Sequence, residues 1–452
     1  MNTVIIMITK LAIKVLKLFG RGTALPGSIS LKLNKNILNS LELPKTTIFV
    51  TGTTGKTSVA GTLYEIYSDS NYKTVSNIKG SNLLPGVVTA IIESVKINGK
   101  TNVDALIVEV DERYVKEVFK FITPKYFIIN NLSRDQLARN GHYELVFDEI
   151  NKSIAPSVHL ILNADDPLVT KFSLNKKNKV TFYGLSKNKY STKKNLIDTL
   201  DLGYCPKCHT KLNFKYFNYG NLGYYECPND DFKRPETEFE GNLKNNILTI
   251  KNSKIKLLND ALYNVYNNLA CFTTAIIDGL DEELVANSLN NLSLKVKRLT
   301  EFNLNGVEGT ILLSKNETPL SYNQSLEYIK GKKEDKTVAI GFNRISGRYD
   351  LKDISWLYDI NFELLKDDSI KRIILIGPFA YDLAVRLKQA GVSPKLFKYC
   401  FDYQNSFDYL ASNEWGTPLT LIVQNGEIVD KNNGYVELDA IKEFFTKNGL
   451  GK

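Results

Sequence analysis

The stretch Thr46-Thr-Ile-Phe-Val-Thr-Gly-Thr-Thr-Gly-Lys-Thr-Ser58 constrains the fold of this chain more than any other. Ile48 to Val50 is a β-branched and apolar run, as in a buried strand. It enters a loop of Gly52, Thr53, Thr54 and Gly55, after which Lys56-Thr57 opens a helical pattern through Val59, Leu63 and Ile66. A strand, a glycine loop and a helix in that order build a phosphate cradle. The glycines allow close backbone approach, and the N–H groups at the helix start point at an anion. Lys56 can neutralise the β- and γ-phosphates of a nucleotide such as ATP, and the Thr57 hydroxyl can ligate Mg2+. The spacing departs from the ordinary Walker A pattern, which requires a glycine where Val50 stands.

Downstream, strands alternate with helical patterns, which predicts α/β architecture with a doubly wound, mostly parallel sheet. The predicted strands are residues 73–77, 104–110, 126–131, 158–163 and, after the interruption described below, 254–258. In open α/β sheets ligands sit beyond the carboxyl ends of strands. Glu109 and Asp111, at the end of Ala105-Leu-Ile-Val-Glu-Val-Asp-Glu112, are therefore expected to face the nucleotide, with Glu109 a magnesium ligand directly or through water. A separate α/β unit begins near Glu301, with strands at 310–313, 337–341, 372–377, 396–399 and 418–423 and a closing helix at 438–447. No GxGxxG follows any of these strands, so this unit is Rossmann-like without a second dinucleotide site. The domains read as a lead-in at 1–45, a central ATP-binding domain at 46–300 and a C-terminal domain at 301–452.

The periodicity breaks between about 201 and 236. Tyr204-Cys-Pro-Lys-Cys-His209 and Tyr225-Glu-Cys-Pro-Asn-Asp-Asp231 bracket an aromatic segment, the pattern of a zinc ribbon inserted in the central domain. Asp230 stands where a fourth cysteine belongs, so Cys205, Cys208, Cys227 and Asp230 are the candidate ligands of a structural Zn2+, with His209 an alternative to Asp230. A ribbon that holds no metal is the other reading of the same residues. The cysteine total is five, an odd number with three clustered, which argues against a disulfide framework and for a reducing, cytoplasmic setting. The net charge of +9 suits an anionic substrate as well as nucleic acid. At the N-terminus, Val4, Ile8, Leu11, Val15 and Phe19 fall on one helical face and the lysines mostly on another. That pattern predicts an amphipathic helix docked on the protein or, alternatively, on the inner membrane surface near a lipid substrate.

Several separated motifs together resemble one family. Thr51-Gly-Thr-Thr-Gly-Lys-Thr57, Glu109-Val-Asp-Glu112, Asn163-Ala-Asp-Asp-Pro167 and Tyr263-Asn-Val-Tyr-Asn267 occur in the order found in Mur ligases. The cysteine ribbon, Arg134-Asp-Gln136 and Ser355-Trp-Leu-Tyr-Asp359 narrow the resemblance to the branch that amidates the D-glutamate of the lipid II stem peptide. The resemblance covers the whole chain. It implies a Mur-ligase-like central domain and an ATP-dependent carbon–nitrogen ligase of peptidoglycan synthesis. It also implies a heterodimer in which a glutaminase subunit, GatD, supplies ammonia. It further implies that Asn163 and Asn264 approach the adenosine end of the nucleotide. Asp353, or Asp350 close by, would complete the glutaminase triad across the subunit interface.

Two other readings remain on the sequence. An amino-acid-adding Mur or folylpolyglutamate-type ligase would share the loop but lack the ribbon and the glutaminase. A nucleic-acid-binding ribbon would use Lys207, Lys211, Lys215, Lys233 and Arg234, although neighbouring acids offset them.

Overall fold

The structure is a computed structural model. It describes residues 2–18, 23–78, 81–133, 142–194, 203–257, 262–293, 299–304, 307–315, 318–341, 354–401, 409 and 417–425. Arg134-Asp-Gln136, Asp350, Asp353 and the helix expected at 438–447 lie outside the described residues. The chain divides into two compact units; among the described residues the first runs to Ser293 and the second begins at Leu299.

The first unit opens with helices α1 (Asn2–Leu18) and α2 (Leu25–Leu33), then strand β1 (Thr46–Thr51) and α3 (Lys56–Asp69). It continues through β2 (Thr74–Ser76), α4 (Leu84–Ser94), β3 (Ala105–Glu109), α5 (Val115–Phe119), β4 (Tyr126–Ile129), α6 (Tyr143–Ser153), β5 (His159–Asn163), α7 (Pro167–Thr170) and β6 (Val180–Leu185). The hairpin β7 (Asn213–Tyr219) and β8 (Leu222–Glu226) follows, then β9 (Phe239–Lys244), β10 (Ile247–Ile250) and β11 (Ser253–Lys256), and finally α8 (Leu262–Ile277) and α9 (Glu282–Ser293). The main sheet runs β11-β10-β9-β6-β5-β4-β1-β3-β2, parallel from β2 across to β9, with β9 to β11 antiparallel at one edge.

Every residue of β1 is buried because helices cover both faces of the sheet. Phe49, Leu106, Val108, Phe127, Leu160 and Leu162 join one core cluster with residues of α4, α5 and α6. Ile48, Val50, Ile107, Ile128 and Ile161, which alternate with them, are equally buried, and α3 and α8 pack against the strands of the sheet. Such two-sided burial produces the near-continuous apolar runs visible in the sequence. Sequence patterning missed β6, β9 and β10. Gly184 reads as the start of a polar loop, yet it lies inside β6. A side chain at 184 would collide with the Arg234 guanidinium.

The N-terminal helix departs from the sequence reading in its orientation. The face that docks on the protein carries Ile5, Ile6, Thr9 and Ile13, all buried. Thr9 Oγ1 bonds Ser30 Oγ on α2 at 3.1 Å, and Lys10 Nζ donates to the Glu93 carbonyl on α4 at 3.3 Å. Of the stripe expected to dock, Val4, Ile8, Leu11 and Val15 are instead exposed, and Phe19 lies outside the described residues. Both faces of the helix are apolar, so the one-sided pattern assumed from spacing does not hold.

The second unit contains β12 (Leu299–Leu304), β13 (Val307–Lys315), α10 (Pro319–Gly331), β14 (Lys336–Gly341), β15 (Ile370–Ile376), α11 (Ala380–Gln389), β16 (Phe397–Cys400) and β17 (Leu419–Asn425). Its sheet runs β12-β13-β17-β14-β15-β16, parallel except for the β12–β13 hairpin. Tyr322 and Leu326 of α10, Leu383 and Leu387 of α11, and Trp356 and Phe362 between them form its core with the strands.

Candidate active site

β1 lies between β3 and β4, and chain connections leave it in opposite directions on its two sides. That reversal opens a crevice at the carboxyl ends of β1 and β4, where such sheets bind ligands. The glycine loop fills it. Gly52 has φ 141°, and a Cβ there would lie 2.9 Å from the Asn131 carbonyl oxygen. Gly55 has φ 81°, and its Cβ would meet Asn267 Oδ1 at 2.6 Å. Both positions therefore exclude side chains for conformational and steric reasons alike.

The β4 end clasps the loop. Thr53 N donates to the Asn131 carbonyl and Thr54 N to Asn131 Oδ1, each at 2.9 Å, while Asn131 Nδ2 returns a bond to the Thr54 carbonyl at 3.1 Å. The Ser133 amide donates to Thr53 Oγ1 at 3.0 Å. Asn131 closed the sequence-predicted strand without being assigned a role, and its side chain holds the loop. The side chains of Asn130 and Asn267 lie against Gly55, and one atom of each, Asn130 Oδ1 and Asn267 Nδ2, is buried with no hydrogen-bond partner among the described residues. Buried polar atoms rarely stay unpaired without a reason. The Asn267 amide is a donor and suits an acceptor-rich ligand such as a nucleotide, whereas the Asn130 oxygen needs a donor such as water or a nucleotide hydroxyl or amine.

Lys56 is buried and folded back on the loop. Its Nζ bonds Glu112 Oε2 at 2.8 Å, the Thr53 carbonyl at 3.3 Å and the Gly52 carbonyl. Burial alone would lower its pKa, but the Glu112 carboxylate, helped by Glu109 and Asp111, outweighs it and the net shift is upward. The lysine is therefore charged. Glu109, Asp111 and Glu112 are all buried at the end of β3. Glu109 Oε1 accepts from Asn82 Nδ2 at 2.9 Å, and its backbone is held on both sides by the Asn77 side chain. Sequence reasoning named Glu109 and Asp111 but gave Glu112 no role. Glu112 pairs with Lys56 and Asp111 with Arg113, and the three acids do not converge into one ligand group; the Glu109 carboxylate is of the type a hard divalent cation takes. Thr57 is exposed at the start of α3, with its hydroxyl available to such an ion.

Asn163 ends β5 and is buried, with its Oδ1 accepting from the Asp165 amide at 3.1 Å. Asp166 caps α7 through the amides of Leu168 and Val169. Asp165 is fully buried. It pairs with Arg234 Nε at 2.6 Å and accepts from Tyr266 OH at 2.6 Å and the Leu185 amide at 2.8 Å. Burial raises its pKa, with Arg234 opposing. Tyr266 lies two residues beyond Asn264, which is half-buried on the first turn of α8. One carboxylate thus ties together the Asn163 turn, the Asn264 helix and Arg234 of the cysteine insert.

In that insert both knuckles form. The Lys207 amide lies 3.4 Å from Cys205 Sγ and the Asn229 amide 3.4 Å from Cys227 Sγ. The sulfurs of Cys205, Cys208 and Cys227 lie within 4.8 Å of one another, and those of Cys208 and Cys227 are 3.4 Å apart. A tetrahedral zinc thiolate site has sulfur–sulfur edges of about 3.8 Å, so this cluster could hold such an ion. Hydrogen bonding to Thr210 pulls the Cys208 thiol down to about 7, and burial pushes Cys227 up to about 11. Asp230 is not gathered with the three sulfurs. Its Oδ1 accepts from the Phe232 amide at 3.0 Å and pairs with Lys207 at 3.2 Å. His209 also lies outside the group. The basic residues of the insert are largely neutralised: Lys207 by Asp230 and Asp231, Lys215 by Glu226, and Arg234 by Asp165 and Glu240. Those pairs leave little charge for a nucleic-acid backbone.

A compact phosphate loop at the reversal of a parallel sheet, with strand-end carboxylates opposite, defines a Mur-ligase-type ATP site. The Mur ligase middle domain family matches residues 50–275, and the MurT ligase C-terminal family matches residues 313–423. The chain belongs to the MurT family of Mur ligases and is an ATP-dependent ligase. It is 30% identical to the MurT subunit of lipid II isoglutaminyl synthase (glutamine-hydrolysing) from Staphylococcus aureus (strain COL), over 86% of this chain and 87% of that protein. The subunit of the same name from Streptococcus pneumoniae is 28% identical, over 83% of this chain and 84% of the relative. Among solved structures, a pseudomurein peptide ligase type C from Methanothermus fervidus has the same fold, with a TM-score of 0.67 and 20% identity over 91% of this chain and 80% of its own.

Proposed function

We propose that this chain amidates the α-carboxyl of the D-glutamate in the lipid II stem peptide, giving D-isoglutamine, with ammonia delivered by a glutaminase partner, GatD. The observation that carries this reading is the buried Lys56–Glu112 pair in the glycine loop, in a chain whose relatives are named as subunits of lipid II isoglutaminyl synthase.

A carboxylate is a poor electrophile. A carboxylate oxygen attacks the γ-phosphorus of ATP, ADP leaves, and the acyl phosphate that results carries a good leaving group. Ammonia then attacks the acyl carbon, and inorganic phosphate departs with the original carboxylate oxygen, taking up the proton that the nitrogen loses. Lys56, freed from Glu112 when triphosphate enters the loop, holds the β- and γ-phosphates, and the loop amides fix their orientation. Thr57 and Glu109 would hold magnesium, which when bound would supply positive charge to the transferring group. Asn163 and Asn264 take the adenosine end, with Asn267 beside them.

Glutamine hydrolysis needs a reactive thiol. Cys271 is fully buried and burial pushes its thiol far up, while Cys400 is buried at the end of β16. The remaining cysteines form the insert's cluster, so ammonia comes from another chain. Asp353, with Asp350 as its local competitor, would hold the partner's imidazole in the tautomer that activates its thiol. Asp353→Asn in the full complex should slow glutamine-driven amidation strongly and leave ammonia-driven amidation near wild type. Equal loss in both assays would move Asp353 into the ligase site or the fold. Incorporation of an amino acid, and not ammonia, by the wild-type complex would replace the whole reading with an amino-acid-adding ligase.

The cysteine cluster is read as a structural zinc site, with Asp230 as fourth ligand once its carboxylate turns from Phe232 and Lys207. Freshly purified protein should carry about one zinc per chain. Cys205→Ser should lower thermal stability more than ATP turnover, because a closed metal site contributes folding energy. Metal-free protein of unchanged melting temperature would make the insert a ribbon that needs no metal.

A further inference from the structure

We propose that the outward face of α1 is a docking surface for an anionic lipid bilayer. Val4, Met7, Ile8, Leu11, Val15 and Leu18 are between 42% and 84% exposed, and their spacing sets them along one side of the helix. The opposite side is anchored to α2 and α4, so the stripe cannot turn inward without giving up the burial of Ile5, Ile6 and Ile13. Segments packed near α1 also expose apolar side chains. Leu25 and Leu33 of α2 are exposed. So is Ile97, in a turn whose Gly99 lies against Ser40 and Ile6.

Charge selects the occupant. No acidic residue precedes Glu42, while Lys10, Lys14, Lys17, Arg21, Lys32 and Lys35 all do. Those six positions compare with a net charge of +9 for the whole chain. Lys14, Lys32 and Lys35 are exposed, and Lys96 and Lys100 flank Ile97. Glu93 of α4 is the acid that acts on Lys10, and its carbonyl accepts that lysine's hydrogen bond on the anchored side of the helix. Apolar side chains projecting from a segment rich in lysine and without acids of its own match a fluid interface of acyl chains and anionic headgroups. A second copy of this chain would bring the same uncompensated positive charge. No described helix is long and apolar enough to cross a membrane, so the mode is adsorption in the plane of the interface. The purpose of this surface rests on the amidation reading, since a lipid-linked substrate would then lie in that plane. The binding itself does not.

The test is sedimentation of the purified full-length chain with phosphatidylglycerol–phosphatidylcholine vesicles and with phosphatidylcholine alone. The wild type should bind the anionic vesicles, and binding should fall with added salt. Leu11→Ser/Val15→Ser should weaken it by about tenfold or more, and Lys14→Glu should weaken it separately. In complex with the glutaminase, the double variant should lose activity on vesicle-embedded substrate and keep it on a water-soluble stem peptide. Absence of wild-type binding to anionic vesicles, or wild-type-like binding by both variants, overturns the proposal. A wild-type dimer that the double variant converts to monomer, without vesicle binding, assigns the stripe to self-association instead. Vesicle binding is read without catalysis, so failure of the amidation reading would leave this result standing.

Discussion

Lys56→Ala should lose on the order of 10³-fold in ATP-dependent turnover, because it removes a cation that holds the transferring phosphoryl group. It should also be less stable than the wild type. Lys56 neutralises Glu112 from a buried position, and its loss leaves that carboxylate uncompensated. Breaking one side of a buried pair costs about 3–5 kcal/mol, reduced where the remaining acid takes up a proton. Lys56→Met combined with Glu112→Gln separates the two effects. The double variant should regain most of the melting temperature and none of the activity. Turnover near wild type in Lys56→Ala would remove the basis of the functional reading. Full stability in Lys56→Ala would show that the pair contributes nothing to the fold.

Arg234→Met should have the largest effect on the ribbon's coupling to the nucleotide site. Its Nε pairs with Asp165, whose side chain is fully buried, and its Nη2 reaches Glu240, which is partly exposed. Loss of the Asp165 partner should cost about 3–5 kcal/mol, or roughly 10 °C in melting temperature. Glu240→Gln, at the exposed end of the same guanidinium, should cost about 1 kcal/mol or less. Asp165 also holds Tyr266 and the Leu185 amide, so the damage should spread to the turn bearing Asn163 and the helix bearing Asn264. KM for ATP should therefore rise more than kcat falls. A lower melting temperature with an unchanged KM for ATP would limit the network to fold stability.

The sequence reveals most where one short segment carries both the pattern and the function. The phosphate loop is such a segment: strand, glycines, lysine and helix are contiguous, and each has a local physical reason. The parallel strands 104–110, 126–131 and 158–163 were legible because burial on both faces leaves continuous apolar runs. What long-range packing decides was not legible. Lys56 reads as a phosphate-binding charge with no part in the fold until the fold brings Glu112 against it. Gly184 reads as a loop until Arg234, distant in sequence, is seen to need the space. The spacing of Val4, Ile8, Leu11 and Val15 marks an apolar face, but α1 has a second one in Ile5, Ile6 and Ile13, and only packing decides which turns inward. Cysteine spacing gathered three thiols correctly into one cluster, whereas the orientation of Asp230 depends on Lys207 and a backbone amide.

The central claim is that a substrate carboxylate is activated by phosphorylation before an amide forms. Transfer of ¹⁸O from the α-carboxylate of labelled stem peptide to inorganic phosphate tests it most directly, with the complex turning over on ATP and ammonia. The account predicts one labelled oxygen in phosphate for each amide formed and none with Lys56→Ala. Amide formation that leaves the phosphate unlabelled would contradict it.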